Sequence, residues 1–291
     1  MRKILLAVAL CMGTLLGTCL AFAGDTTGVY VAGKGGITFE NSDNKGKVTG
    51  GYGESYSFMN YGIQTIIQDI FSSSSHNQIN TAGTFGGAVG YAFPQFPVRF
   101  EVEYLYRTQT SSNFSAGGVS TYQYSIVNNT TGANFYNLGG VLSTGVASFK
   151  REDTIHTLMF NGYWDIVEYN GFVPYVGGGI GMAFHNMRDS AHTILTYNGS
   201  TYSYPGASMS KDRTVTCFAW MASAGVAYKI NDNWAIDLGY RLISFGDAGS
   251  SSMTGAYTSL MTGSQPVYET ASIKSNTALS NEVLMSVRYT F

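Results

Sequence analysis

What this chain of 291 residues lacks narrows its class before any motif is read. It has three cysteines, five prolines and four histidines, and only 12% of its residues carry charge. Two of the cysteines, Cys11 and Cys19, fall in the first 23 residues, leaving only Cys217 beyond them. One cysteine builds neither an internal disulfide framework nor a zinc cluster. With 16 basic residues against 18 acidic ones, there is no basic surplus for a nucleic-acid partner. After residue 23 no stretch approaches the ~18 uninterrupted apolar residues of a transmembrane helix. The GGGIG run at residues 177–181 lacks the helix and the Lys-Ser/Thr pair that a phosphate loop requires. What is abundant is glycine (36), tyrosine (21) and phenylalanine (17), the composition of a β protein with exposed aromatics.

The N-terminus predicts export. Arg2 and Lys3 precede an uncharged apolar run from Ile4 to about Leu20, and Ala21-Phe22-Ala23 follows before Gly24. A basic start, an apolar middle and an A-x-A exit define a secretory signal, here residues 1–23, leaving 24–291 as one mature domain. A retained membrane anchor and a lipoprotein signal at Cys19 are the competing readings. The small-residue exit disfavours the first, and Thr18 is a poor neighbour for a lipidated cysteine.

Eight segments then alternate with period two, the mark of strands whose two faces meet different surroundings. In VRFEVEYLYR, residues 98–107, Val98, Phe100, Val102, Tyr104 and Tyr106 share a face opposite Arg99, Glu101, Glu103 and Arg107. The closing NEVLMSVRYTF repeats the pattern, with Val283, Met285, Val287, Tyr289 and Phe291 against Glu282 and Arg288. Each segment is about ten residues or longer, the reach of a tilted transmembrane strand. Connections after the second, fourth and sixth segments are short, whereas those after the first, third, fifth and seventh are long and rich in Ser, Thr, Asn and Gly. Short turns at one end, long loops at the other and an even strand count predict an all-β fold. It is an eight-stranded antiparallel up-and-down transmembrane barrel with four long extracellular loops.

Hydrocarbon forces every backbone group to find a partner, so such a sheet must close. Closure turns the polar parity inward, placing Lys34, Arg99, Glu101, Glu103, Arg107, Asp237, Arg241, Glu282 and Arg288 in the lumen. Same-face neighbours along a strand are roughly 7 Å apart, so ion pairs must form between strands. The expectation is a packed salt-bridge network, with a narrow conducting path as the alternative. The in-strand glycines are read as relief for the tight bends of a small barrel.

The stretches FVPYVGGGIGMAF, FAWMASAGVAYKINDNWAIDLGYRLISF and SVRYTF resemble the last four strands of the small outer-membrane barrel superfamily. That superfamily includes outer-membrane protein A and the opacity-type surface proteins. The resemblance spans the mature chain and lacks the peptidoglycan-binding domain of the former. It implies a Gram-negative outer membrane location, with lipid and lipopolysaccharide around the wall and both termini periplasmic. It also implies that Val287, Tyr289 and Phe291 form the signal read by the barrel-assembly machinery. The implied function is that of a non-enzymatic, monomeric surface protein whose loops contact host or environmental ligands, without a cofactor. The alternative is a low-conductance porin. The one enzymatic candidate is FHNMRDSAH, residues 184–192, which places His, Asp and Ser close together in sequence and is read instead as a solvated rim. His156 is expected at the lipid interface, and Cys217 as a small inward filler.

Overall fold

A computed structural model describes residues 28–58, 61–73, 76–93, 95–197, 203–258, 266–277 and 279–291. The expected leader lies outside them. Eleven antiparallel strands follow in order: β1 (Val29–Phe58), β2 (Tyr61–Ser72), β3 (His76–Ala92), β4 (Val98–Asn128), β5 (Asn134–Asp165), β6 (Phe172–Tyr197), β7 (Ser203–Lys229), β8 (Trp234–Ser244), β9 (Ser250–Thr258), β10 (Pro266–Thr277) and β11 (Ser280–Thr290). Around the end that carries Val29 and Phe291, β1, β3, β4, β5, β6, β7, β8 and β11 pair in sequence, and β11 returns to β1. Eight strands therefore close a ring, with Arg288 opposite both Ala32 and Ala235.

The four segments read as long loops are long, but they are strands. β1, β4 and β5 run for 30, 31 and 32 residues, about three times the 9–11 that a bilayer needs. Above the membrane, β2 takes the place of β3 between β1 and β4, while β10 and β9 continue the wall from β11 and β8. The physical reason lies in the sequence of those segments. Alternation continues in them, but with Ser, Thr, Asn and Gln on the outward parity, so hydropathy marks the end of the lipid band and not the end of the strand. Ser111, Asn113 and Ser115 on β4, for example, are exposed where Phe100 and Val102 are exposed lower down.

The lower outer face is apolar all round. Ile37, Phe85, Phe160, Ile180, Phe218, Leu238 and Met285 lie on seven of the eight strands of the ring and are all exposed. Such a belt is stable only in hydrocarbon. Aromatics edge it near the short turns, where Trp234 packs on Tyr289 and Tyr289 on Phe291. The inward glycines chiefly make room for large neighbours. A side chain at Gly90 would meet the Tyr30 ring at 2.4 Å, and one at Gly177 would meet Tyr163 at 2.4 Å.

Candidate functional site

Inside the membrane-level ring, all nine charges expected in the lumen are paired across strands. Glu101 and Glu103 of β4 both bind Lys34 of β1, the second at 2.7 Å. Arg241 of β8 joins Glu103 at 2.8 Å and also holds Glu282 of β11. Glu282 accepts a further bond from Arg107 Nε at 2.6 Å and one from Thr38. A second group lies nearer the termini, where Asp237 sits 3.5 Å from Arg288 and 3.8 Å from Arg99, and Arg99 reaches Asp165 at 3.2 Å.

Neutral side chains complete these bonds. Glu101 accepts from Tyr163 at 2.8 Å, Asn161 at 3.1 Å and Tyr30 at 3.2 Å. The guanidinium of Arg107 lies 4.4 Å from the centre of the Phe245 ring, and that of Arg99 lies 4.6 and 4.7 Å from the centres of the mutually perpendicular Tyr163 and Tyr175 rings. The opposite side of the lumen is apolar, built by Ile155, Met159, Val173, Ala183, Met221 and Ile243. Cavities beside Lys34 measure about 40 and 20 Å³, room for little more than single waters.

Reading the sequence strand by strand missed what lies higher. His185, read as part of a solvated rim, is 1% exposed inside the barrel, where Nδ1 lies 2.7 Å from Asp153 and Nε2 bonds the Phe245 carbonyl. Asp189 of the same stretch is buried beneath Arg151, at 2.6 and 3.0 Å. The stretch is corrected from rim to strand β6, and Ser190, on the opposite parity from both, is in no position to act as nucleophile for either. His156 does face outward, 2.7 Å from the Tyr104 hydroxyl, while His192 is exposed and the His76 side chain lies outside the described residues. Cys217 is half-buried, its thiol 3.3 Å from the Asp247 carbonyl. Above these layers an apolar plug of Val48, Phe71, Phe114, Phe149, Met209 and Ile273 fills the extracellular half. Among the described residues no group of three or more His, Cys, Asp or Glu could hold a metal ion.

A lipid belt around a closed eight-stranded ring, with charge turned inward, defines an integral outer-membrane barrel. The chain belongs to the outer membrane protein beta-barrel domain family, whose profile matches residues 7–265, and its place is the Gram-negative outer membrane. Outer membrane protein PagN of Salmonella typhimurium is 26% identical over 97% of this chain and 98% of its own. A Rickettsia conorii protein named as an adhesin is 27% identical over 37% of this chain and 41% of its own. Among solved structures, Neisserial surface protein A is 14% identical with a TM-score of 0.37, the match covering 91% of this chain and 97% of that one.

Proposed function

We propose that this protein is a non-enzymatic adhesin-like surface protein, whose extracellular wall and strand tips contact host or environmental ligands. The observation that carries the reading is the filled lumen, because a barrel packed with ion pairs and an apolar plug leaves its outer surface to do the work. The raised wall supports it, for strands three times the bilayer length lift polar, tyrosine-bearing hairpins well clear of lipid. The likeness of part of the chain to a protein named as an adhesin points the same way. A narrow pore is the weaker reading for the same reason, the lumen being blocked at two levels. Within this proposal residues 1–23 are the export signal, and Val287, Tyr289 and Phe291 address the assembly machinery. Phe291 also donates its backbone N–H to Val29, tying the last residue to the first strand.

The test is excision of the four hairpin ends in register, so that the lower ring is untouched. Tyr52 pairs with Ile67, Thr121 with Val141, Leu195 with Tyr204 and Ala256 with Tyr268, which sets the cuts at 52–67, 121–141, 195–204 and 256–268. Bacteria displaying the trimmed barrel should lose binding to host cells or matrix, with surface level unchanged. Undiminished binding would remove the adhesin reading.

A further inference from the structure

We propose that the extracellular half of the barrel holds a hard divalent cation, bound between Asp69 of β2, Ser120 of β4 and Glu269 of β10. Register places the three side chains on one inward face, with no β1 side chain between Asp69 and Glu269. Gly50 is the register partner of both Asp69 and Glu269, and Asp69 is the partner of Ser120, so the three lie on one inward face of four adjacent strands. A Cβ at Gly50 would stand 2.6 Å from the Tyr268 carbonyl oxygen and 2.8 Å from Glu269 Cγ, so any other residue there would crowd the strand and the glutamate.

Asp69 and Glu269 are 0% exposed and Ser120 is 1% exposed. One oxygen of each carboxylate is accounted for, since Tyr257 donates to Asp69 Oδ2 and Thr193 donates to Glu269 Oε2, both at 2.8 Å. The other oxygens, Asp69 Oδ1 and Glu269 Oε1, have no hydrogen-bond partner, and neither has the hydroxyl of Ser120. Neither acid has an ion-pair partner among the described residues, in contrast to Glu101, Glu103, Asp237 and Glu282 below, each of which meets a cation. A buried carboxylate oxygen without a donor or cation is costly. Three orphaned oxygens on one buried face describe a donor set. Oxygen alone, with no His or Cys among the three, selects a calcium- or magnesium-type ion over zinc.

Protons are the competing occupant. The site lies eleven residues along β1 beyond Phe39, clear of the lipid belt, and burial pushes the Glu269 carboxyl up to about 7, with the Thr193 hydroxyl and the Ala207 backbone N–H opposing the rise and the charge of Asp69 adding to it.

The test uses the full barrel, refolded in micelles free of lipopolysaccharide so that no lipid phosphate binds the probe, and titrates calcium chloride by calorimetry. At pH 8 one ion should bind per chain, with Kd on the order of 10⁻⁴–10⁻³ M as in extracellular calcium modules. Asp69→Asn and Glu269→Gln, which keep side-chain volume and whose folding is checked by heat-modifiable gel mobility, should each abolish binding. Ser120→Ala should weaken it severalfold, and Asp212→Asn on the outer wall should leave it unchanged. Absence of binding at 10 mM calcium overturns the site, as does binding that survives Glu269→Gln.

Discussion

Replacing Glu282 by alanine tests the filled lumen most directly. This carboxylate is fully buried and holds two guanidiniums, those of Arg107 and Arg241, as well as the Thr38 hydroxyl. The two arginines do not suffer equally. Arg241 keeps Glu103 at 2.8 Å, whereas Arg107 retains only the Thr157 hydroxyl at 3.0 Å and the face of Phe245. Arg107 itself is 1% exposed, so its charge is left stranded in a closed interior. Breaking one side of a buried pair typically costs about 3–5 kcal/mol. Against this, Lys45→Ala on the exposed outer wall belongs with substitutions that change stability by about 0.5 kcal/mol or less. Equilibrium urea unfolding in micelles, followed by tryptophan fluorescence, separates effects of this size. A double-mutant cycle pairing Glu282→Ala with Arg107→Ala should show coupling, the second substitution costing far less once the first is made. If Glu282→Ala unfolds at the wild-type urea concentration, the lumen is wet and screened, and the argument from a packed interior fails.

Purified protein in planar bilayers should show no reproducible conductance, because the spaces beside the ion pairs reach only about 40 Å³ and the apolar plug closes the barrel above them; stable channel steps would contradict this. Deleting Phe291 should reduce the amount of assembled barrel at the cell surface, measured by heat-modifiable gel mobility, and undiminished levels would show that the last residue carries no address. Gly90→Val should destabilise the barrel by about 1–3 kcal/mol, since the added carbons meet the Tyr30 ring and the Phe100 carbonyl at 2.4–2.5 Å. In metal-free buffer, stability should fall as pH rises from about 4.5 to 7, because burial makes Glu269 and Glu40 hold protons in the folded state that the unfolded chain has already released. Glu269→Gln should reduce that slope and leave the part due to Glu40, and an unchanged profile would mean that Glu269 contributes nothing to it.

The lipid-level barrel was legible in the residues themselves because a strand between lipid and a filled lumen obeys a strict alternation. Arg99, Glu101, Glu103 and Arg107 against Phe100, Val102, Tyr104 and Tyr106 leave one orientation open, and the short turns order the strands. Even the rule that ion pairs must cross between strands follows from the spacing of a strand. Which charge meets which does not. The Glu282–Arg107 pair spans 175 positions and depends on the shear of the closed ring, which no local pattern encodes. Nor could composition separate a polar loop from a polar strand, because the sign of a strand above the membrane is weak alternation between two hydrophilic faces. That is why His185 and Asp189 read as rim residues until β5 and β6 were seen to run on together and turn both of them inward. The meeting of Asp69, Ser120 and Glu269 is tertiary in the same sense. Each is an unremarked polar residue in its own segment, and only four adjacent strands with a glycine between them place the three on one buried face.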